Sequence, residues 1–409
     1  MPPPPQKPPQ SSPDTLAAGV VALVAAALVL PTLTAPLLVD ERVMAFEAIK
    51  WLGLDPLAPW SLPLGGSGTW RPLLPYLFRL DADAPAWVRH LGSGTGYVVL
   101  CVGVFAWLRQ RFALPAATLG AAWFAAHGAH VAVAGWVGGR ADLAMGIAAV
   151  IALIAWDRER VGIAAAAVAV AVLCKETAIV LPAVLWWMRR DPRAWIPAIA
   201  AAAPFAVGLA IQEVDAAYLP GPGAWASALP IWPLYAVEAF VPTFRPLAVP
   251  RGPDLLGLVV AVAATLACLR GAAPKARLAL GAAAVAAVPV LHVLPNDGGD
   301  WYLLLPTIPL AAAWASIAER RPRAAASVVV AVLAVGIARG WTWHVASTEV
   351  ARTIDAGDAR SEPPPRQDPR DWPHVGPSFC CGFPYQLFAD PRAEIRPPSP
   401  PEASPADSR

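Results

Sequence analysis

The first long apolar stretch of the chain, from Leu16 to Val39, ends abruptly in an acidic pair, Asp40 and Glu41. The stretch is long enough to cross a bilayer as a helix. A carboxylate at the membrane surface can act as the general base for an attacking hydroxyl group when the two lie within hydrogen-bond reach. The same pair can instead cap the helix that follows, because acidic residues favour helix N-termini. Both interpretations stay open, and Asp40 and Glu41 are the candidate catalytic residues.

Further ionisable side chains interrupt later apolar stretches. Such groups at membrane depth cost several kcal/mol unless they are paired or hydrated, so each is a functional candidate. Arg71, Arg140 and Lys175 can stabilise the negative charge of a departing phosphate, and arginine can hold a phosphate through two donors. The other polar candidates in or beside these stretches are His90, His127, His130, Asp142, Glu176, Asp297, Asp300 and Tyr302.

Each of the three cations also has a structural interpretation. Arg71 can anchor a loop to lipid headgroups. Arg140 and Asp142 can form an ion pair at the start of a helix. Lys175 and Glu176 can form a buried pair that holds two half-helices together.

His127 and His130 lie one helical turn apart, which is compatible with a shared metal ion. No third ligand is evident in the sequence, so packing or hydrogen bonding between helices is the alternative. The five cysteines have no metal-ligand spacing. A requirement for a divalent metal therefore stays open, and no other cofactor is expected.

The composition places these residues in a multi-pass membrane protein. The 409 residues are 57% hydrophobic and only 15% charged, with a mean hydropathy of +0.50. A soluble chain of this length would carry far more charge on its surface. The net charge of +2 and the scattered basic residues argue against nucleic acid as a partner.

The pattern predicts an all-α protein with about eleven transmembrane helices. Residues 1–15 are expected to be disordered and cytoplasmic, 16–339 to form the membrane domain, and 340–409 to form a Pro-rich extracytoplasmic tail. The segment 40–90 is expected to be the first extracytoplasmic loop, with an interfacial helix containing Val43, Phe46, Ile49 and Leu52. Beyond the first helix, which is expected to be retained, the predicted spans are Leu91–Leu108, Leu114–Ala134, Ala141–Trp156, Val161–Leu173, Thr177–Met188, Ala194–Ile211, Leu255–Leu269, Leu278–Val293, Trp301–Ile317 and Ala324–Ile337.

Short basic loops predict the orientation of these spans. Basic residues accumulate in cytoplasmic loops, so the N-terminus is expected in the cytoplasm and the polar candidates on the outer face of a cell membrane, a bacterial inner membrane. The basic residues that define the cytoplasmic face are Arg109, Arg111, Arg158, Arg160, Arg189, Arg190, Arg193, Arg270, Lys275, Arg277, Arg320, Arg321 and Arg323.

Several elements resemble one family in order and spacing. They are Asp40-Glu41, Trp70–Leu73, Ala126–His130, Gly135–Leu143, Leu173–Ala178 and Asp300–Leu303. Together they are similar to the GT-C membrane glycosyltransferases, in the branch of the protein O-mannosyltransferases and the tetratricopeptide-repeat-linked mannosyltransferases.

The resemblance implies transfer of a sugar, possibly mannose, from a polyprenyl-phosphate carrier to a glycan or protein acceptor outside the membrane. It implies a GT-C-like fold, lipid as a partner, and inversion at the anomeric carbon through a single displacement. The residues that it implies in substrate binding are Arg71, His127, His130, Arg140, Asp142, Lys175, Glu176 and Tyr302.

The chain departs from the family pattern at two positions, and these departures keep alternatives open. Gly128 replaces a proline after the first histidine, and Asp300-Trp301 replaces an arginine before the late tyrosine. No repeats that would bind a protein acceptor occur in the tail. The alternatives are a transporter or flippase of lipid-linked saccharides and a non-catalytic relative, although the chain lacks the internal repeats that transporters commonly have.

Overall fold

The computed structural model describes residues 12–37, 48–49, 52–53, 55–62, 69–212, 235–236, 238–239, 273–291 and 300–358. This part of the chain is helical and contains no strand, which confirms the predicted all-α class. Asp40, Glu41, Asp297, the predicted span Leu255–Leu269 and residues 359–409 lie outside it. Of the predicted interfacial helix, residues 48–49 and 52–53 are described, and they are helical.

Twelve α-helices occur in the described ranges. They are α1 (Pro13–Val29), α2 (Leu74–Arg79), α3 (Ala86–Leu108), α4 (Leu114–Ala126), α5 (His130–Gly135), α6 (Arg140–Asp157), α7 (Val161–Cys174), α8 (Leu181–Arg189), α9 (Trp195–Ile211), α10 (Pro274–Ala287), α11 (Leu304–Arg320) and α12 (Pro322–Asp358).

Five helical stretches among the described residues are long and apolar enough to cross a membrane. They are Pro13–Thr32, Ala86–Leu108, Val137–Asp157, Pro192–Ile211 and Pro322–Val345. The chain therefore has the helices of a membrane protein. The helices α4 and α7 are apolar but shorter, so the larger number of spans expected from the sequence stays a prediction.

The structure shows two breaks in apolar stretches, one predicted and one not. The segment Val161–Met188 was expected to be two short helices meeting at Lys175, and this is confirmed, because Lys175 is extended (φ −158°, ψ 127°) between α7 and a 3-10 turn, Glu176–Val180. The segment Leu114–Ala134 was expected to be one helix. It is broken at His127, whose ψ of 116° is not helical, and α5 begins only at His130.

Small residues bring the helices together around a core of aromatic side chains. Trp123, Phe124 and Tyr97 are fully buried. A Cβ atom at Gly120 of α4 would lie only 2.6 Å from the Ala311 carbonyl oxygen of α11, so these two helices approach closely enough to require glycine. Without a hydrophobic driving force between helices in lipid, such close backbone approach is the main source of association.

Basic groups meet at one end of the bundle. Arg109, at the end of α3, pairs with Asp14 at the start of α1, and Arg111 pairs with Asp157 at the end of α6. Lys275, at the start of α10, donates to the Arg111 carbonyl oxygen at 3.2 Å. These contacts place the groups at a common end, as predicted; the compartment that this end faces stays a prediction.

The last described helix, α12, continues past the domain boundary that the sequence predicts. It begins at Pro322 and continues through residue 340, where the sequence predicts the start of a tail, to Asp358. Its 37 residues span about 55 Å at 1.5 Å per residue. This exceeds the thickness of a hydrocarbon core, about 30 Å. At the other end of the chain, α1 begins at Pro13 with Ser12 as its N-cap, slightly before the expected boundary.

Candidate functional site

Two ion pairs lie side by side at the end of the bundle opposite the basic end. The Arg71 guanidinium donates from Nε and Nη2 to the two carboxylate oxygens of Glu176, at 3.0 and 2.8 Å. Lys175 Nζ donates to Asp142 Oδ1 at 2.6 Å. Because Lys175 and Glu176 are adjacent, one turn joins the two pairs. We call these four residues the ion-pair cluster.

Three helix boundaries position the cluster. Lys175 and Glu176 follow the last residue of α7, Asp142 is in the first turn of α6, and Arg71 precedes α2. The fourth element is the 3-10 turn Asp300–Leu303, whose Tyr302 ring lies 5.1 Å from Lys175 Nζ. An ammonium group at this distance is attracted to the face of an aromatic ring.

The two pairs differ in their exposure. The side chains of Lys175 and Asp142 are 5% and 4% exposed, whereas those of Arg71 and Glu176 are 18% and 31% exposed. The first pair therefore forms the floor of the cluster and the second its accessible part. Burial alone would raise the pKa of Glu176, but the charge and hydrogen bonds of Arg71 lower it to about 2. Glu176 is therefore ionised at neutral pH.

Spare donors distinguish the cations of the cluster. An arginine has five N–H donors and a lysine has three. Arg71 uses its Nε and Nη2 on Glu176, and its Nη1 makes no hydrogen bond to a described residue. Lys175 makes one hydrogen bond, to Asp142, within the same part of the structure. Both cations therefore have N–H donors that no described residue engages.

Arg140 has no such donor left. Its Nε donates to Ser93 Oγ, and its Nη1 donates to the Leu77 carbonyl oxygen and to Asp81 Oδ1. Its Nη2 donates to Asp81 Oδ2 and to the Arg89 carbonyl oxygen. The five contacts saturate the guanidinium. A substrate contact of Arg140 is therefore not available in this structure, and its carboxylate partner is Asp81 rather than the Asp142 expected from the sequence.

The two histidines are enclosed in the bundle. His130 Nδ1 lies 3.0 Å from the Phe124 carbonyl oxygen, and Nε2 lies 2.8 Å from Thr307 Oγ1. The Thr307 hydroxyl itself donates to the Leu303 and Leu304 carbonyl oxygens, at 2.9 and 2.8 Å. His127 Nε2 lies 3.2 Å from the Ala239 carbonyl oxygen. Both rings are 0% exposed, so their contacts are with neighbouring segments of the bundle, and their role in substrate binding stays a prediction.

A candidate metal site is not evident among the described residues. No group of three or more His, Cys, Asp or Glu side chains is arranged there to hold an ion. A small cavity elsewhere in the bundle is lined only by apolar residues and offers nothing to a charged substrate. Its lining residues are Ala149, Leu153, Leu181, Val184, Ala286, Leu305, Ile308 and Pro309.

Asp40 and Glu41 lie outside the described residues, and the described stretch before them ends at Leu37. Leu37 packs against the small apolar group that contains Val137 and Ala141, at the start of α6.

Sequence reasoning missed two polar pairs. Asp81 is the partner of Arg140, and Glu238 pairs with Arg339 in the interior, where both side chains are at most 3% exposed. Neither acid lies near its partner in the sequence, and no motif joins them. A signal was present only in Arg339, a basic residue inside an apolar stretch.

None of the family models, characterised proteins or solved structures with which the chain was compared matches it significantly.

Proposed function

We propose that the protein is a membrane glycosyltransferase of the GT-C class that uses a polyprenyl-phosphate-linked sugar. One observation carries the proposal. Arg71, Asp142, Lys175 with Glu176, and Tyr302 come from four distant parts of the chain, and they meet in one cluster. These are the same residues that carry the family resemblance, and two of the cations retain donors for an anion.

The proposed reaction is a single displacement. The acceptor hydroxyl oxygen attacks the anomeric carbon, the bond between that carbon and the phosphate oxygen breaks, and the polyprenyl phosphate leaves with the electron pair. Asp40, or otherwise Glu41, takes the hydroxyl proton. Lys175 and the Nη1 of Arg71, which no described residue engages, stabilise the charge on the departing phosphate. Attack opposite the leaving group inverts the anomeric centre.

The test uses the purified full-length protein in lipid vesicles with a polyprenyl-phosphate sugar that carries a radiolabel. We expect labelled product from the wild type and no product from Asp40→Asn. Arg71→Gln should lower the transfer rate by about 10²-fold or more, since removal of one charge-stabilising donor typically costs that much. Arg79→Gln is the matched control, because Arg79 lies nearby but its side chain is 47% exposed and pairs only with Asp83 among the described residues.

Two results would overturn the proposal. Redistribution of the labelled lipid between leaflets without any product would identify a transporter. Equal transfer rates for Arg71→Gln and Arg79→Gln would show that the ion-pair cluster is not part of the active site. Full activity of Asp40→Asn would be compatible with a glycosyltransferase but would show that Asp40 is not the general base. Glu41 would then be the next residue to test.

A further inference from the structure

The saturated guanidinium of Arg140 joins α2, which follows Arg71, and the start of α3 to α6, which carries Asp142, the partner of Lys175. Through Asp81 and the Leu77 carbonyl oxygen it holds α2 and the turn after it. Through Ser93 and the Arg89 carbonyl oxygen it holds the start of α3. Arg140 is itself the first residue of α6. One side chain therefore fixes three helix ends relative to each other, and we call this set of contacts the Arg140 clamp.

Both sides of the clamp lead directly to the ion-pair cluster. On one side, α2 follows Arg71 after a short turn in which the Leu74 amide donates to the Arg71 carbonyl oxygen at 3.0 Å. On the other side, Asp142 lies two residues after Arg140 and holds Lys175 Nζ at 2.6 Å. The separation of the Arg71 and Lys175 charges thus depends on how α2 sits against α6.

We propose that Asp81 is a positioning residue of the transfer reaction, which acts through Arg140 to set the distance between the two phosphate-binding cations. The inference rests on the proposed function. Asp81 touches neither substrate nor the reacting atoms. Its carboxylate binds Arg140 through both oxygens, at 2.7 and 2.6 Å. Such bidentate pairing fixes direction as well as distance.

A glycine on α3 supplies an independent probe of the clamp. A Cβ atom at Gly92 would lie 3.1 Å from Asp81 Oδ2 and 3.2 Å from Arg140 Nη2, so alanine there must displace the pair by a few tenths of an ångström. At Gly96, one turn later, the nearest atom is Leu143 Cδ1 at 3.6 Å, an ordinary contact. Both substitutions favour the helix equally, so they differ mainly in their effect on the clamp.

The experiment measures donor and acceptor kinetics per folded molecule. Asp81→Asn should lower kcat/KM for the donor by about 10–100-fold, because small misplacements of binding groups cost this much. The KM for the acceptor should not change. Asp83→Asn is the matched control, since its side chain is 73% exposed in the same loop. Asp81→Glu keeps a carboxylate, so it should retain part of the activity that Asp81→Asn loses. Arg140→Lys should not retain it, because an ammonium group lacks the planar fork of donors.

Gly92→Ala should also lower kcat/KM for the donor, and Gly96→Ala should leave it unchanged. A lower melting temperature for Asp81→Asn with unchanged donor kinetics would show that the Arg140 clamp only stabilises the fold. This result would overturn the proposal. So would identical donor kinetics for Asp81→Asn and Asp83→Asn.

A second readout separates the clamp from the proposed function. Hydrogen exchange of α2 and the first turn of α6 should accelerate together in Asp81→Asn and not in Asp83→Asn, because exchange reports local opening. If the wild type transfers no sugar while this joint opening occurs, the proposed function fails and the clamp stands. If exchange is unchanged in Asp81→Asn, the clamp fails whatever the wild type transfers.

Discussion

At the scale of single residues, the three cations that interrupt the apolar stretches have different roles because they differ in their unused donors. Arg140 has all five N–H groups engaged by protein oxygens. Among the described residues, Arg71 and Lys175 each donate hydrogen bonds only to a carboxylate. A binding residue must exchange a partner for its ligand at small cost, which a saturated buried group cannot do.

The sequence identified the charged residues of the site but paired them wrongly. It suggested Lys175 with Glu176 and Arg140 with Asp142, because these residues are neighbours in the chain. Residues one or two positions apart do not face each other in a helix. In the structure, Lys175 instead binds Asp142, and Glu176 binds Arg71. Partners at this separation depend on how the helices pack, which a single sequence does not contain.

Removal of the Lys175 charge should affect both stability and activity. Lys175→Met leaves Asp142, whose side chain is 4% exposed, without its counterion. Breaking a buried pair from one side costs about 3–5 kcal/mol. We therefore expect a clearly lower melting temperature in detergent and no detectable sugar transfer.

A double variant separates these two effects. Lys175→Met combined with Asp142→Leu removes both charges, so it should recover most of the melting temperature. Transfer should stay absent, because the cation that faces the phosphate is still missing. Transfer activity in the double variant would show that Lys175 only neutralises Asp142.

The Arg71–Glu176 pair predicts a pH-dependent contribution to stability. The pKa of Glu176 is lowered from its ordinary value of 4.5 to about 2, because the attraction of Arg71 outweighs the cost of burial. A lowered pKa means that the contribution is fully present above about pH 4.5 and is lost as the pH falls toward 2. Since both side chains are partly exposed, it amounts to about 1 kcal/mol at most.

The measurement compares the melting temperatures of the wild type and Glu176→Gln. The wild type should be more stable at pH 7, and the difference should shrink at pH 3. A difference that is the same at both pH values would show that the charge of Glu176 does not contribute to stability.

At the scale of elements, the sequence predicted apolar stretches better than the breaks within them. The break at Lys175 follows from a charged residue flanked by basic loops on both sides. The sequence does not predict the break at His127, because Ala and Val continue the apolar pattern on both sides of the two histidines. The break is stabilised by tertiary contacts instead, since His130 bonds to Phe124 and Thr307. The sequence does not predict the continuation of α12 past Arg339, because the composition changes there while the helix continues.

The close contact of α4 and α11 predicts a strong effect of a single methyl group. A Cβ atom at Gly120 would lie 2.6 Å from the Ala311 carbonyl oxygen and 2.8 Å from the Ala315 Cβ, so the helices must separate. We expect Gly120→Ala to destabilise the protein by about 1–3 kcal/mol, the usual cost of overpacking. Its melting temperature should therefore fall.

Gly19→Ala is the control for this substitution. It also lies within a helix, α1, but nothing approaches within 4 Å of its added methyl group. Alanine has the higher helix propensity, so this variant should be at least as stable as the wild type. Equal melting temperatures for Gly120→Ala and Gly19→Ala would contradict the close packing of α4 and α11.

At the scale of the whole molecule, charge is divided between two ends. One end contains the ion pairs of Arg109 and Arg111, and the other contains the ion-pair cluster. The helices α7 and α8 connect them, since the Lys175 turn is at one end and Arg189 donates to the Trp156 carbonyl oxygen at the other. Because basic loops generally stay in the cytoplasm, we expect the proposed site to face outward.

Labelling of single cysteines in intact cells tests this orientation. The reporters are Asp83→Cys, near the proposed site, and Glu159→Cys, at the basic end; the native side chains are 73% and 62% exposed. The background replaces Cys268, Cys380 and Cys381 by serine and keeps Cys101 and Cys174, which are buried. A membrane-impermeant maleimide should label Asp83→Cys in intact cells and Glu159→Cys only after the cells are opened. The reverse pattern would place the cluster in the cytoplasm, where an externally presented polyprenyl-phosphate sugar cannot reach it, and the proposed reaction would have to be abandoned with the orientation.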